Sequence, residues 1–192
     1  NSIVTRDEDS TLELSAVTVL GSVAKGPPVG ALKSDGKGAG VSVLTKAKAT
    51  LDGVAILGAW GFGMYADSGA SLDVRRSFVD ATRAPQGAEP AEAFAVGLTV
   101  IGATAAVSDV TITRSSQAGV LAGKKGRLRG DHLLVRDVIE GSIASTGSAL
   151  TVGENADVDL DASVFDGATS SGILVTEGAA SAIRLARSVV RR

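Results

Sequence analysis

"ATLDGVAIL", residues 49–57, places small or apolar residues at Ala49, Leu51, Val54 and Ile56. Each pair alternates with period two, the mark of a short strand with one face inward. Asp52 and Gly53 between the pairs mark a tight corner. The same spacing returns at Leu12/Leu14/Val17/Val19, Leu72/Val74/Ser77/Val79 and Ala105/Val107/Val110/Ile112. A weaker copy is Leu128/Gly130/Leu133/Val135, and Val158/Leu160/Ser163/Phe165 and Ile183/Leu185/Ser188/Val190 complete seven copies. Self-similarity of this kind is the signature of a repeat architecture.

A third element precedes every copy after the first: Gly or Ala followed by alternating apolar residues. It reads "GVSVL" from Gly40, "GMYAD" from Gly63, "GLTVI" from Gly97, "GVLAG" from Gly119, "ALTVG" from Ala149 and "GILVT" from Gly172. "SIVT" before Leu12 has the look of one more. From this residue to the next copy takes 9, 9, 8, 9, 9 and 11 residues. Three short strands per turn, roughly 22–23 residues per minimal turn and no helical period describe a β-solenoid. Left-handed hexapeptide solenoids, with about 18 residues per turn, do not fit. An antiparallel sandwich is the alternative, but it does not need one corner spacing seven times over. The pattern resembles the right-handed parallel β-helix superfamily of pectate lyases, polygalacturonases and many surface proteins. The expected fold is therefore all-β: a right-handed parallel β-helix of about seven coils, each of three short strands, spanning residues 1–192 as one domain.

Composition agrees. The chain is 44% hydrophobic but only 3% aromatic, with 24 glycines. Such residues suit a slim aliphatic core. A net charge of −2 offers no basic field for nucleic acid. The absence of cysteine excludes disulfides, thiolate metal sites and a thiol nucleophile. No apolar run approaches the about 20 residues of a membrane-spanning helix. The start, "NSIVTRDEDS", has neither Met nor a signal-peptide pattern, and a section of a longer, secreted or cell-surface solenoid is expected.

The distance from each copy to the following Gly-type strand alternates: 28, 14, 25, 14, 21 and 14 residues. The extra length always falls at one corner, so the insertions are expected to form a ridge, a common place for binding. They contain "GSVAKGPPVGALKSDGKGA", "DATRAPQGAEPAEAFA" and "RDVIEGSIASTGS", rich in Pro, Gly and Ser as loops are. The residue two after the Gly alternates in step: Ser42, Thr99 and Thr151 follow long insertions, and Tyr65, Leu121 and Leu174 follow short ones. Each long loop is expected to cover a neighbouring outward apolar side chain. Trp60, Phe62 and Tyr65, with Asp67 beside them, then either pack beneath a loop or form a sugar-stacking or protein-docking surface.

Stacked coils set equivalent residues about 4.8 Å apart. One outward column reads Glu13, Thr50, Asp73, Ala106, Arg129, Asp159, Arg184. "NADVDLDAS" suggests calcium through Asp157, Asp159 and Asp161, yet the first two face arginines in the next coil, so ion pairs are the preferred reading. Asp161 instead neighbours Asp131, and Asp109 and His132 lie alongside. This acidic corner is expected to raise one carboxylate pKa or recruit a cation. "GKKGRLRG" (123–130) reads as a basic surface turn. On the outward face beside the loops Asp67 is the only carboxylate, whereas glycosidic cleavage needs two; the superfamily's catalytic residues cannot be placed here. The third strand's outward column ends in apolar residues, and Phe78, Leu134, Val164 and Val189 are expected to meet a partner subunit or flanking domain. The leading functional expectation is a non-catalytic scaffold presenting loops to a glycan or protein. The rivals are a polysaccharide lyase or glycoside hydrolase, and a self-associating structural element.

Overall fold

The computed structural model describes residues 3–21, 38–84, 95–140, 147–176 and 180–191. Among them are nineteen strands and no helix. One seven-stranded sheet runs β1 (Ile3–Thr5), β4 (Ala39–Val43), β7 (Phe62–Asp67), β10 (Val96–Ile101), β12 (Ala118–Gly123), β14 (Ser148–Val152), β17 (Ser171–Val175). A twelve-stranded sheet has the path β2 (Thr11–Ser15), β5 (Lys48–Asp52), β8 (Ser71–Arg75), β11 (Thr104–Thr113), β13 (Arg127–Arg136), β15 (Asp157–Asp161), β18 (Ala182–Ala186). It is extended by β3 (Thr18–Leu20), β6 (Ala55–Leu57), β9 (Phe78–Asp80), β16 (Val164–Asp166) and β19 (Val189–Val190). The pairings are parallel, as in β4 on β7 and β5 on β8. Parallel sheets with no helix among the described residues are consistent with a β-solenoid and exclude the antiparallel sandwich.

The registers follow the sequence columns. Glu13, Thr50, Asp73, Ala106, Arg129, Asp159 and Arg184 are successive partners. So are Ser42, Tyr65, Thr99, Leu121, Thr151 and Leu174, with Val4 before them. One detail differs from three strands per turn. At β11 and β13 the second and third strands merge into single ten-residue strands, because their ladder breaks only at Asp109 and His132 and resumes at Val110↔Leu133.

Alternation sends the aliphatic residues of both sheets into one core, where Val41, Leu51, Leu98, Ile112, Leu128, Leu150 and Leu160 are all but inaccessible. Each such side chain contributes about 1.5–3 kcal/mol by leaving water. The glycines that open the first-sheet strands are there for space rather than for φ. A Cβ on Gly63 would strike Val79 of the third strand and lie 2.5 Å from the Gly97 carbonyl oxygen one tier on. Gly97 repeats this against Ile112 and, at 2.7 Å, the Gly119 oxygen. The serines at apolar positions are also explained. Ser77 Oγ accepts the Val54 amide at 3.1 Å and donates to the Arg75 carbonyl at 2.7 Å, tying two tiers together inside the core.

The corner between second and third strands is a left-handed turn at every copy: Ala16, Gly53, Arg76, Asp109, His132, Ala162 and Arg187 have φ between 45° and 64°. Only one of the seven is glycine, so the turn is imposed by the stacked strands against an intrinsic cost of about 1–2 kcal/mol for a non-glycine residue.

Candidate functional site

Three places bear on function: the outer face of the seven-stranded sheet, the left-handed corner and the outer edge of the third strands.

On the outer face, Tyr65 and Phe62 are 6% and 8% exposed, with ring centroids 4.9 Å apart. They join Ala39, Leu44, Val96 and Ala118 in a second apolar cluster, with Leu121 packed against it. Phe62 therefore lies within β7 on this face. The Tyr65 hydroxyl donates to Asp67 Oδ2 at 3.0 Å, while Asp67 Oδ1 accepts the Ser68 amide at 2.5 Å. Trp60 is half-buried and bridges to Arg83. Neither Tyr65 nor Phe62 offers an open ring face for stacking. Most of the three insertions (22–37, 85–94 and 141–146) lies outside the described residues, including the expected loop residues Val29, Leu32, Phe94 and Ile143. Ile139, at the root of the third, is 50% exposed.

The acidic corner assembles, with a different charge balance. Asp131 and Asp161 are register partners. His132 Nδ1 is 3.2 Å from Asp131 Oδ1 and 3.7 Å from Asp109 Oδ1. The expected upward pKa shift is not found. The Ser108 hydroxyl, donating at 2.8 Å, and then His132 hold the Asp131 carboxyl below its usual range. Arg187 does the same for Asp161, donating from Nε at 2.9 Å. For Asp161 the cation lies on the next tier, and for Asp131 hydrogen bonding outweighs the like-charge neighbour. Among the described residues no three His, Asp or Glu side chains are grouped to hold a metal. Asp157 pairs diagonally with Arg129 at 3.2 Å rather than with Arg127, its partner in register. In the basic turn, Lys124 and Lys125 are exposed and left-handed.

Comparisons with protein-family models, curated proteins and solved structures found no match to this chain. Its function has to be argued from its own residues.

Sequence reasoning missed the device that neutralises the corner. Arg76 clamps Asp52, Arg114 clamps Asp80 and Arg187 clamps Asp161, each with two guanidinium nitrogens on two carboxylate oxygens of the preceding tier. In each clamp the arginine occupies a left-handed turn. Arg191 and Asp166 form a related pair at 2.9 Å. The signal was present as Asp at a strand end followed about one repeat later by Arg just past the equivalent position.

The third-strand outer column is exposed in part. Phe78 and Val189 are 36% and 47% exposed, Leu134 and Val164 half-buried, and Leu20 is 67% exposed. Among the described residues no helix is long and apolar enough to cross a membrane.

Proposed function

We propose that the chain is a right-handed parallel β-helix of about seven coils of three short strands. In this reading it is a non-catalytic scaffold of a secreted or cell-surface protein, whose inserted connections bind a glycan or protein. One observation carries the reading. The connections from third strand back to first alternate in length: 18 residues between β3 and β4, 4 between β6 and β7, 15 between β9 and β10, 4 between β11 and β12, 11 between β13 and β14, and 4 between β16 and β17. The long ones enter β4, β10 and β14, alternate strands of one sheet, so their roots form a line with steps of about 10 Å. Surface clamps, inward serines and close-packed glycines make a rigid base for such a line, and rigid bases lower the ordering cost of binding.

The test replaces residues 21–38 and 81–95 with four-residue connections copied from 58–61. The variants and parent are screened against a glycan array and surface-protein ectodomains, with circular dichroism and melting temperature as folding controls. Loss of a parental ligand with the fold retained supports the ridge. Release of reducing ends or unsaturated products from a polysaccharide by the parent would replace this reading with an enzymatic one.

A further inference from the structure

We infer that the outward column at the corner between third and first strands docks a short segment of another protein, one carrying an acidic side chain between apolar ones. The inference rests on the binding role proposed above and names the partner class. The column is fixed by register. Trp60 bridges to Arg83 in parallel, and the Arg83, Ser116, Ile139 and Thr169 amides donate to the Ala59, Thr82, Ser115 and Val138 carbonyls, each on the preceding tier. Ala59 and Val138 belong to the core, and Thr82 and Ser115 are inaccessible, so alternation turns the residue after each of them outward. Trp60, Arg83, Ser116 and Ile139 therefore stand about 4.8 Å apart along one line. The inserted connections meet the fold beside this line. Gly38 lies so near Trp60 that a Cβ on it would be 2.5 Å from the Trp60 carbonyl oxygen, and residues 85–94 and 141–146 follow closely on Arg83 and Ile139.

The side chains on the line are of two kinds. Ile139 is 50% exposed and Trp60 half-buried, so both keep apolar surface in water. Arg83, and Glu140 next to Ile139, are exposed charges. Among the described residues neither has an ionic partner, whereas Arg76, Arg114 and Arg136, on the tiers of Arg83, Ser116 and Ile139, each hold an aspartate. The Ser116 hydroxyl already donates to the Thr82 carbonyl at 3.1 Å. This set suits a peptide better than a sugar. Sugar hydroxyls need several placed donors and acceptors, and the line offers a cation, an aliphatic side chain and an indole. An acidic polysaccharide would also meet Glu140 as a like charge. A protein segment can set an acid against Arg83, a base against Glu140 and apolar side chains against Trp60 and Ile139. Trp and Arg are among the side chains that most often dominate such contacts. From Trp60 to Ile139 is three tiers, about 14 Å, the span of about five extended residues.

The experiment pans a phage-displayed random-peptide library on the folded chain and measures the enriched peptides, made with a fluorophore, by anisotropy, with circular dichroism as the folding control. Peptides with an acidic residue flanked by apolar ones are expected. Arg83→Glu should weaken their binding about tenfold or more, and Trp60→Ala and Ile139→Ala should each weaken it as well. Replacing the peptide's acid with Lys should restore binding to Arg83→Glu, because the pair is then reversed rather than lost. No enrichment, or enriched peptides that bind Arg83→Glu as well as the parent, would overturn the inference. So would a glycan whose binding depends on Trp60 and Arg83. A ligand lost on shortening 21–38 but indifferent to Arg83→Glu and Trp60→Ala keeps the proposed binding role and overturns this inference alone.

Discussion

Arg114 reaches across one tier to Asp80, with Nε 2.7 Å from Oδ1, and the Thr113 hydroxyl donates to that same oxygen at 2.7 Å. Asp80 is 9% exposed, and the Arg114 contact, aided by Thr113, holds its carboxyl below the usual range. Removing the carboxylate by Asp80→Ala leaves the nearly inaccessible Thr113 hydroxyl without its acceptor, an expected loss of about 1–2 kcal/mol. Urea unfolding measures it, and an unchanged midpoint would count against the clamp.

The same clamp sets a pH dependence. A carboxylate whose folded pKa is depressed stabilises the fold above its ordinary value of 3.8 and loses that stabilisation as pH falls through the lower folded value. Asp131, Asp161 and Asp166 shift in the same direction. Melting temperature should therefore fall steeply below about pH 4, and less steeply in Asp80→Asn. A flat profile from pH 6 to pH 2 would contradict the assignment.

Gly63→Ala tests close approach. Its methyl group would meet Val79 and the Gly97 carbonyl, and the backbone oxygen cannot rotate away. A destabilisation of about 1–3 kcal/mol is expected. Gly58, with nothing within 4 Å of an added Cβ, would lack this clash, so steric crowding should be absent from its Ala variant. Its φ of 68° leaves only the left-handed cost.

Tyr65 distinguishes packing from recognition. As a packed residue bonded to Asp67, Tyr65→Phe should cost about 0.5–1.5 kcal/mol and Tyr65→Ala about 3–5 kcal/mol. A sugar platform would instead show near-unchanged melting temperatures and lost glycan binding. Trp60, the chain's sole tryptophan and half-buried, reports local change through its fluorescence.

Calcium should leave the melting temperature unaltered. Asp161 is neutralised by Arg187 and Asp157 by Arg129, so binding the ion would require breaking those pairs. A rise in melting temperature that saturates with calcium and reverses with chelator would restore the acidic corner as a metal site.

Much of this was legible in the sequence because stacked parallel strands turn repeat spacing directly into spatial neighbours. Thr50, Asp73 and Ala106 are partners for no other reason than equal distance from their corners. The charge state of the corner was not legible. Column arithmetic paired Asp131 with Asp161 but passed over Arg187, which sits in the turn itself and reaches back diagonally. The burial of Tyr65 was visible, since alternation places it outward and its step with the long insertions anticipates cover; that Phe62 packs beside it on the same face was not.

The central claim is that equivalent residues climb a single axis at a constant rise, and distances along one outward column measure it directly. The cysteine-free chain permits spin labels at Thr50 paired in turn with Ala106, Asp159 or Arg184. At about 4.8 Å per tier, two, four and five tiers give separations of about 10, 19 and 24 Å, increasing in that order. Separations that fail to rise with the number of intervening repeats would show a different strand order, and the stacked architecture would be wrong.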